Sequence, residues 1–460
     1  MKYFLNPIFI GKILKSYLFD INRIWEMDPE TLHKFQEKKI HEIVNYAYYN
    51  VPFYRKKYQE ANINPKDIKT IDDFKKIPFV AKEDLQNTSL EDLCPSAIKK
   101  EAMVTTTSGT IGKPLSIYIT LFDVVQGLFG YLRPFKEYGI SWRKDRIALI
   151  VDLRTDSVER KYLNEGVFPS FKPLISFDNI RVFSLKDEAE KLINELDEFQ
   201  PDFVGGYPGK LTHLALLKEK GFGENINPKA MGTTGELFDK HLRALVEEVF
   251  DTNVYDTYGA TESGPIAFEC RKKKMHIDVD LIYAEFLKNG KPNIEEEPGN
   301  IFITKLFGKG TPIIRYSGIN DIVVPSNETC ECGLRHSLIK KIYGRDNLYL
   351  IFPGGKIMLQ SAISEIFGKV VYEYRTRMFK NIQIVQHGLN QIEVKVVINH
   401  NLKETASVRD IFSMIKTGFY EKIGSDADVD VAVNEVKKID QGEYIVSKID
   451  KDKFDKRIYL

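Results

Sequence analysis

Apolar residues change their spacing along this 460-residue chain, and the changes predict its elements. Ile40, Ile43, Val44, Ala47 and Tyr48 recur three and four residues apart, as on one face of a helix. Asp28-Pro29-Glu30 marks its start, with a capping carboxylate before a proline. Val51-Pro52-Phe53-Tyr54 predicts its end. Thr70-Ile71-Asp72-Asp73 has the form of a capping box. Leu115-Ser116-Ile117-Tyr118-Ile119 alternates as a strand does, and Ile147–Val151 is an apolar run suited to a buried strand. Leu185, Ala189, Leu192, Ile193, Leu196 and Phe199 predict a helix that Pro201 closes. Phe203-Val204-Gly205-Gly206-Tyr207-Pro208 reads as a strand and tight turn. Helices over 211–220 and 237–250 and a strand over 253–258 follow. Strands alternating with helices predict an α/β fold with a mostly parallel sheet. Ligands sit at the carboxyl ends of such strands. The turn at 205–208 and the segment Tyr258-Gly259-Ala260-Thr261-Glu262 fall there.

The pattern changes near residue 345. A hairpin is predicted over 382–385 and 392–398. Val408, Ile411, Phe412, Ile415 and Phe419 give a helix, and 429–433 a strand. This predicts a small α+β domain over 345–460, joined to a large domain over 1–344 by the polar, glycine-led hinge Gly344-Arg345-Asp346-Asn347.

One loop stands out against this framework. Thr105-Thr106-Thr107-Ser108-Gly109-Thr110-Ile111-Gly112-Lys113-Pro114 concentrates hydroxyls, two glycines and a lysine. Glycines let backbone N–H groups approach a ligand closely, and successive N–H groups form an anion-binding concavity. The composition suits a polyphosphate. The spacing is not that of a Walker loop, because two residues separate Gly109 from Gly112 and Pro114 follows the lysine. The loop is therefore expected between two strands. An ordinary Ser/Thr/Gly surface turn is the plainer alternative.

Composition narrows the setting. The chain is 43% hydrophobic and 28% charged with a net charge of +1, as in ordinary soluble proteins and without the basic excess of nucleic-acid binders. Four cysteines, at 94, 270, 330 and 332, make no secreted disulfide framework and point to a reducing, cytoplasmic setting. The apolar N-terminus is broken by Asn6, Pro7, Lys12 and Lys15, so neither a signal peptide nor a transmembrane span is predicted. Cys270, His276, Cys330 and Cys332 form a Cys₃His set suited to structural zinc, with His336 as a competing ligand and free buried thiols as the alternative.

Four stretches occur in a telling order: TTTSGTIGKP, TTGELF at 233–238, YDTYGATESG at 255–264 and IIRYSGIND at 313–321. Together they resemble the adenylate-forming enzymes, and the phenylacetate–CoA ligase family in particular, including its relatives from capsule-polysaccharide clusters. The resemblance spans nearly the whole chain. It implies ATP-dependent activation of a small carboxylic acid to an acyl-adenylate, then transfer to CoA or to an amine or hydroxyl. It implies roles as well. Thr107, Ser108, Gly109, Thr110, Gly112 and Lys113 would hold the β- and γ-phosphates. Lys113, Thr261, Glu262 and Arg345 would act in catalysis, Glu262 as the Mg²⁺ ligand. Gly235, Glu236, Tyr258 and Gly259 would form the adenine site, Asp321 would bind the ribose hydroxyls, and Arg345 would join them from the hinge. By analogy the acid pocket lies between the Tyr207 turn and 233–262, with Tyr207 and Asp152 as a polar wall. Homodimerisation is left open. Cys…His and C-x-C-G stretches like those above occur in the same family.

Two departures stand against the resemblance. Where relatives read Gly-Arg-x-Asp-Asp, this chain has Gly344-Arg345-Asp346-Asn347-Leu348, so Asn347 occupies the hinge aspartate position. Near the C-terminus, Gly442-Glu443 stands where the family carries Gly-Lys, and a carboxylate facing a phosphate is repelled. Lys437, Lys438 and Lys448 are the nearby substitutes. Two readings follow: an active ligase, or a protein that binds nucleotide or acyl-adenylate but has lost part of the chemistry. A purely structural zinc protein leaves the phosphate loop unexplained.

Overall fold

Proline and capping side chains set where the first helices begin. In the computed structural model, Asp28 accepts hydrogen bonds from the N–H groups of Glu30 and Thr31 and starts the helix Pro29–Asn50. Pro52 does more than end it. It occupies the first turn of a second helix, Pro52–Glu60, because a ring lacking N–H is tolerated at a helix start. The capping box at Thr70 and Asp73 forms as expected. The structure describes residues 11, 15, 21–107, 113–155, 157–161, 163–164, 176–288, 290–293, 296–402, 404, 406–424, 428–439, 444–449 and 458–459.

Strands β1 (Met103–Thr106) and β2 (Ser116–Ile119) pair antiparallel, so the hydroxyl-rich loop joins two strands. Next come β3 (Ile147–Val151), β4 (Ile180–Ser184), β5 (Phe203–Gly206), β6 (Ala230–Thr234) and β7 (Val254–Ala260). All the pairings within this group, β4 with β3, β3 with β5, β5 with β6 and β6 with β7, are parallel. The intervening helices are Ala189–Phe199, Pro208–Lys218 and Lys240–Phe250. The last starts three residues later than its apolar pattern suggests, because Asp239 caps it by accepting from the N–H groups of His241 and Leu242.

Beyond β7 the same sheet continues antiparallel through β8 (Gly264–Glu269), β9 (Met275–Ile277), β10 (Ile282–Lys288), β11 (Lys291–Pro292), β12 (Gly299–Lys305), β13 (Asp321–Ser326) and β14 (Leu338–Arg345). The full order is β11-β10-β12-β13-β14-β9-β8-β7-β6-β5-β3-β4. Short β-returns suffice for the antiparallel half, whereas the parallel half needs its helical crossovers. Apolar residues of the three crossover helices and strands β3, β5, β6 and β7 form one core. A second core unites the N-terminal helices with the antiparallel strands.

Residues 348–445 supply a separate core. It is built from the predicted hairpin, now β15 (Phe379–Gly388) and β16 (Gln391–Ile398), the helices Gln360–Tyr374 and Val408–Ile423, and strand Asp430–Glu435. The helix Gln360–Tyr374 lies close against Asp239: a Cβ at Gly368 would fall 2.1 Å from the Asp239 carboxylate. Arg375 to Glu248 (2.9 Å) and Arg377 to Glu190 (2.7 Å) tie the two parts at the surface. The expected hinge glycine is the penultimate residue of β14, with φ of +91°. A Cβ there would lie 2.5 Å from Gln360 Oε1, so both backbone angle and space call for glycine.

The most buried ionic group braces the sheet. Arg133, at the end of helix Leu121–Leu132, meets Asp278 at 3.0 Å and Asp280 at 2.6 Å, with all three side chains excluded from solvent. Removing the cation would strand two carboxylates. We expect Arg133→Ala to lower unfolding free energy by about 3–5 kcal/mol, read as an earlier denaturation midpoint. An unchanged midpoint would refute this role.

Candidate active site

The carboxyl ends of the parallel strands open into one cavity of about 1930 Å³. Each strand delivers a segment to it: Asp152 follows β3, Tyr207 follows β5, Gly235 and Glu236 follow β6, and Thr261 and Glu262 follow β7. Strands β13 and β14 contribute Asp321 and Arg345 from their first and last residues. Thr107, Lys113, Tyr258 and Gly259 complete the set. Every described residue singled out for nucleotide, phosphate or Mg²⁺ binding thus lies on one wall system. Ser108, Gly109, Thr110 and Gly112 lie outside the described residues.

Both ends of the phosphate loop are pinned. The Thr107 N–H donates to the Leu115 carbonyl (2.9 Å), and the Leu115 N–H donates to Thr107 Oγ1 (3.0 Å). Lys113 is exposed, and its carbonyl accepts from the Gln86 amide.

Glu262 is buried and accepts a hydrogen bond from the Tyr316 hydroxyl at 3.0 Å. Burial pushes its pKa up, while the positive charges of Lys82 and Arg345 pull it down. Asp321 is also buried. It accepts from the Tyr258 hydroxyl at 2.7 Å and lies 3.5 Å from Arg345 Nε. Its pKa is raised by burial, partly offset by Arg345. Tyr258 therefore presents a ring edge-anchored through its hydroxyl. Arg345 also reaches the Ile319 carbonyl, and its own N–H donates to Gln360 (3.2 Å).

Glycines admit close approaches around this wall. Gly235 has φ of +84°, and a Cβ there would strike the Tyr207 ring at 2.6 Å. One at Gly259 would lie 2.8 Å from the Gly264 carbonyl. Glu236 receives the Gly209 N–H at 3.3 Å. Asp152 turns to Arg154, accepting at 2.7 Å, so its charge is already matched.

Several cavity residues carried no signal in the sequence. Lys82, from a short polar helix, sits where its charge is felt at Glu262, because Val80 bridges to Tyr316. Glu159 likewise carries no signal, since a lone glutamate has no distinctive spacing. At the C-terminal side, Ile439 and Tyr444 line the cavity on either side of residues 440–443, so Glu443 lies outside the described residues. Lys437, Lys438 and Lys448 are not among the lining residues.

At the opposite edge of the large sheet's β8–β9 turn, Cys270, His276, Cys330 and Cys332 place one donor atom each within 4.8 Å of one another. Cys270 and Cys330 sulfurs are 3.6 Å apart, and Cys332 Sγ is 3.3 Å from His276 Nε2. The Lys272 and Leu334 N–H groups donate to Cys270 and Cys332 sulfurs. Sulfurs that accept backbone N–H bonds are disposed for the thiolate form that metals take. His336 does not compete. Its Nε2 is engaged with the Ile24 carbonyl, because the N-terminal helix covers that side.

No protein-family model matches the chain. It is 24% identical over 383 residues to the phenylacetate-coenzyme A ligase of Escherichia coli (strain K12), covering 81% of this chain and 84% of that one. Identity to the phenylacetate-coenzyme A ligase of Aromatoleum evansii is 28% over 306 residues, 65% of this chain and 67% of the relative. The crystal structure of 2-hydroxyisobutyryl-CoA ligase in the postadenylation state superimposes with a TM-score of 0.71 at 18% identity, over 93% of this chain and 91% of that one. The fold is thus that of the adenylate-forming enzymes. Within that class, the relatives it resembles in sequence are phenylacetate-coenzyme A ligases, the family whose four ordered motifs it carries.

One cavity carboxylate yields a pH test. Asp256, in β7, accepts from Thr233 Oγ1 at 2.9 Å, and burial with the nearby Glu269 raises its pKa to about 7. An acid with a raised folded pKa favours folding below its unfolded value and loses that contribution as pH rises through the folded value. Stability should fall between about pH 4 and pH 7, and Asp256→Asn should remove on the order of 4 kcal/mol of that fall. Unfolding curves for both proteins across that window decide it; parallel slopes would count against it.

Proposed function

We propose that the chain is an AMP-forming carboxylic acid ligase whose acceptor is the thiol of coenzyme A. The observation that carries this reading is the convergence of Lys113, Glu262, Tyr258, Asp321 and Arg345 on one cavity at the strand ends. A carboxylate oxygen of the acid attacks the α-phosphorus, the bond to the β-phosphate oxygen breaks, and pyrophosphate leaves. The thiol, losing its proton, then attacks the acyl carbon and releases AMP.

The residues divide this work by charge. Thr107, Lys113 and the loop between them hold the outer phosphates, with Lys82 adding a second cation. Asp321 accepts from the ribose hydroxyls, giving up or sharing its bond from Tyr258. Gly235, Glu236, Tyr258 and Gly259 border the base. Thr261 and Glu262 stand nearest the phosphates. Burial without close cationic pairing suits Glu262 to Mg²⁺, which would neutralise the triphosphate. We further propose that the unit beginning at residue 345 is a small domain that turns on the hinge. We also propose that the Cys₃His group holds structural zinc: four donors leave no open position for catalysis.

The test is ATP–pyrophosphate exchange across a panel of acids, followed by thioester detection with CoA and, as controls, amine and hydroxyl acceptors. Lys113→Ala and Asp321→Ala should each lower exchange by roughly tenfold to a thousandfold. Exchange absent from the wild type but gained in Glu443→Lys would instead favour the reading of a nucleotide-binding protein that has lost activity. Metal analysis should find one zinc per chain, lost in Cys330→Ser/Cys332→Ser.

A further inference from the structure

A carboxylate with no assigned role stands in the acid side of the cavity. Glu159 is half-buried, and its Oε1 accepts from the Tyr207 hydroxyl at 2.5 Å. Tyr207 is the residue that follows β5, and its ring packs against Gly235. On another side stands Tyr131, whose hydroxyl lies 3.1 Å from the position a Cβ on Gly259 would take. The charge of Glu159 acts on the hydroxyls of both tyrosines. Glu159 is thereby placed between the Tyr207 turn and the strand carrying Gly259, where the acid would lie.

Among the described residues, Tyr207 is its hydrogen-bond partner, and no salt bridge reaches its carboxylate. The neighbouring Arg154 lies 2.6 Å from Asp152 in an ion pair. Burial holds the Glu159 pKa above its usual range, with Tyr207 and Arg154 lowering it and Asp152 raising it. A carboxylate has about four acceptor positions; the Tyr207 hydroxyl and the residue's own backbone N–H engage two of them. The rest face a cavity whose other walls include Leu128, Phe135 and Phe203. An apolar acid would bury these acceptors unmatched, which is unfavourable.

We propose that Glu159 is a specificity residue that accepts a hydrogen bond from a hydroxyl or amino group on the acid, so that the substrate is a donor-bearing acid and not an unsubstituted aryl or alkyl acid. This rests on the ligase reading. Tyr207 orients the carboxylate, and the donor supplies the partner the fold omits.

Binding separates the two ideas, because it needs no turnover. Non-hydrolysable acyl-sulfamoyl adenosines would be made from phenylacetate and from its hydroxyl and amino derivatives substituted at each ring position. Calorimetry would measure their affinities for wild type, Glu159→Gln and Glu159→Leu, with ATP affinity as the folding control. In wild type at least one donor-bearing analogue should bind on the order of tenfold to a hundredfold tighter than the unsubstituted one. Glu159→Leu should remove or reverse that ratio while leaving ATP affinity unchanged. Equal binding of all analogues by wild type would overturn the proposal, as would a ratio that survives in Glu159→Leu. Failure of every analogue to bind while ATP binds would overturn it too. Absent pyrophosphate exchange with the ratio intact would sink only the ligase reading.

Discussion

Desolvated negative charge organises this molecule. Glu262 and Asp321 are buried at the rim of one cavity, each with a single tyrosine hydroxyl as its close hydrogen-bond donor. Burying a carboxylate is costly unless it is matched. Elsewhere the protein matches such charges within itself: Arg133 with Asp278 and Asp280, Lys305 with Asp123, Arg315 with Glu285. In the cavity the matching is looser: Asp321 has a 3.5 Å contact with Arg345, and Glu262 has no ion pair among the described residues.

The sheet explains why these groups meet. Parallel strands point their carboxyl ends the same way, so residues far apart in sequence arrive at one edge. The antiparallel half then turns β13 and β14 back to the same edge, adding Asp321 and Arg345. Glycines at 235 and 259 keep that edge open, since side chains there would run into Tyr207 or the Gly264 carbonyl.

Much of this was legible in the sequence because the signals were local. An apolar run marks β3, capping residues mark helix starts, and the four ordered motifs mark the part of the cavity wall that holds Lys113, Gly235, Tyr258, Glu262 and Asp321. What escaped detection was non-local or lacked a pattern. Pro52 ends one helix as its position predicts and also starts the next, because both roles place proline at the same point. His336 was weighed as a ligand, and only the packing of Ile24 removes it. Lys82 reaches the cavity through the long-range pairing of Val80 with Tyr316, which no window of sequence displays. The mixed sheet was likewise hidden, since buried strands look alike whichever way their neighbours run.

Asp321 and Arg345 are direct partners in the β13–β14 register. The first faces the cavity, and the second is the last residue before the chain departs into its C-terminal unit. One strand pair thus joins ligand contact to the direction of that departure. Free-energy coupling between two such points is reciprocal. If a ligand on Asp321 favours one orientation beyond Arg345, that orientation must tighten the ligand by the same factor. Cargo recognition and domain posture would then be two readings of a single equilibrium, written into one ladder of backbone hydrogen bonds.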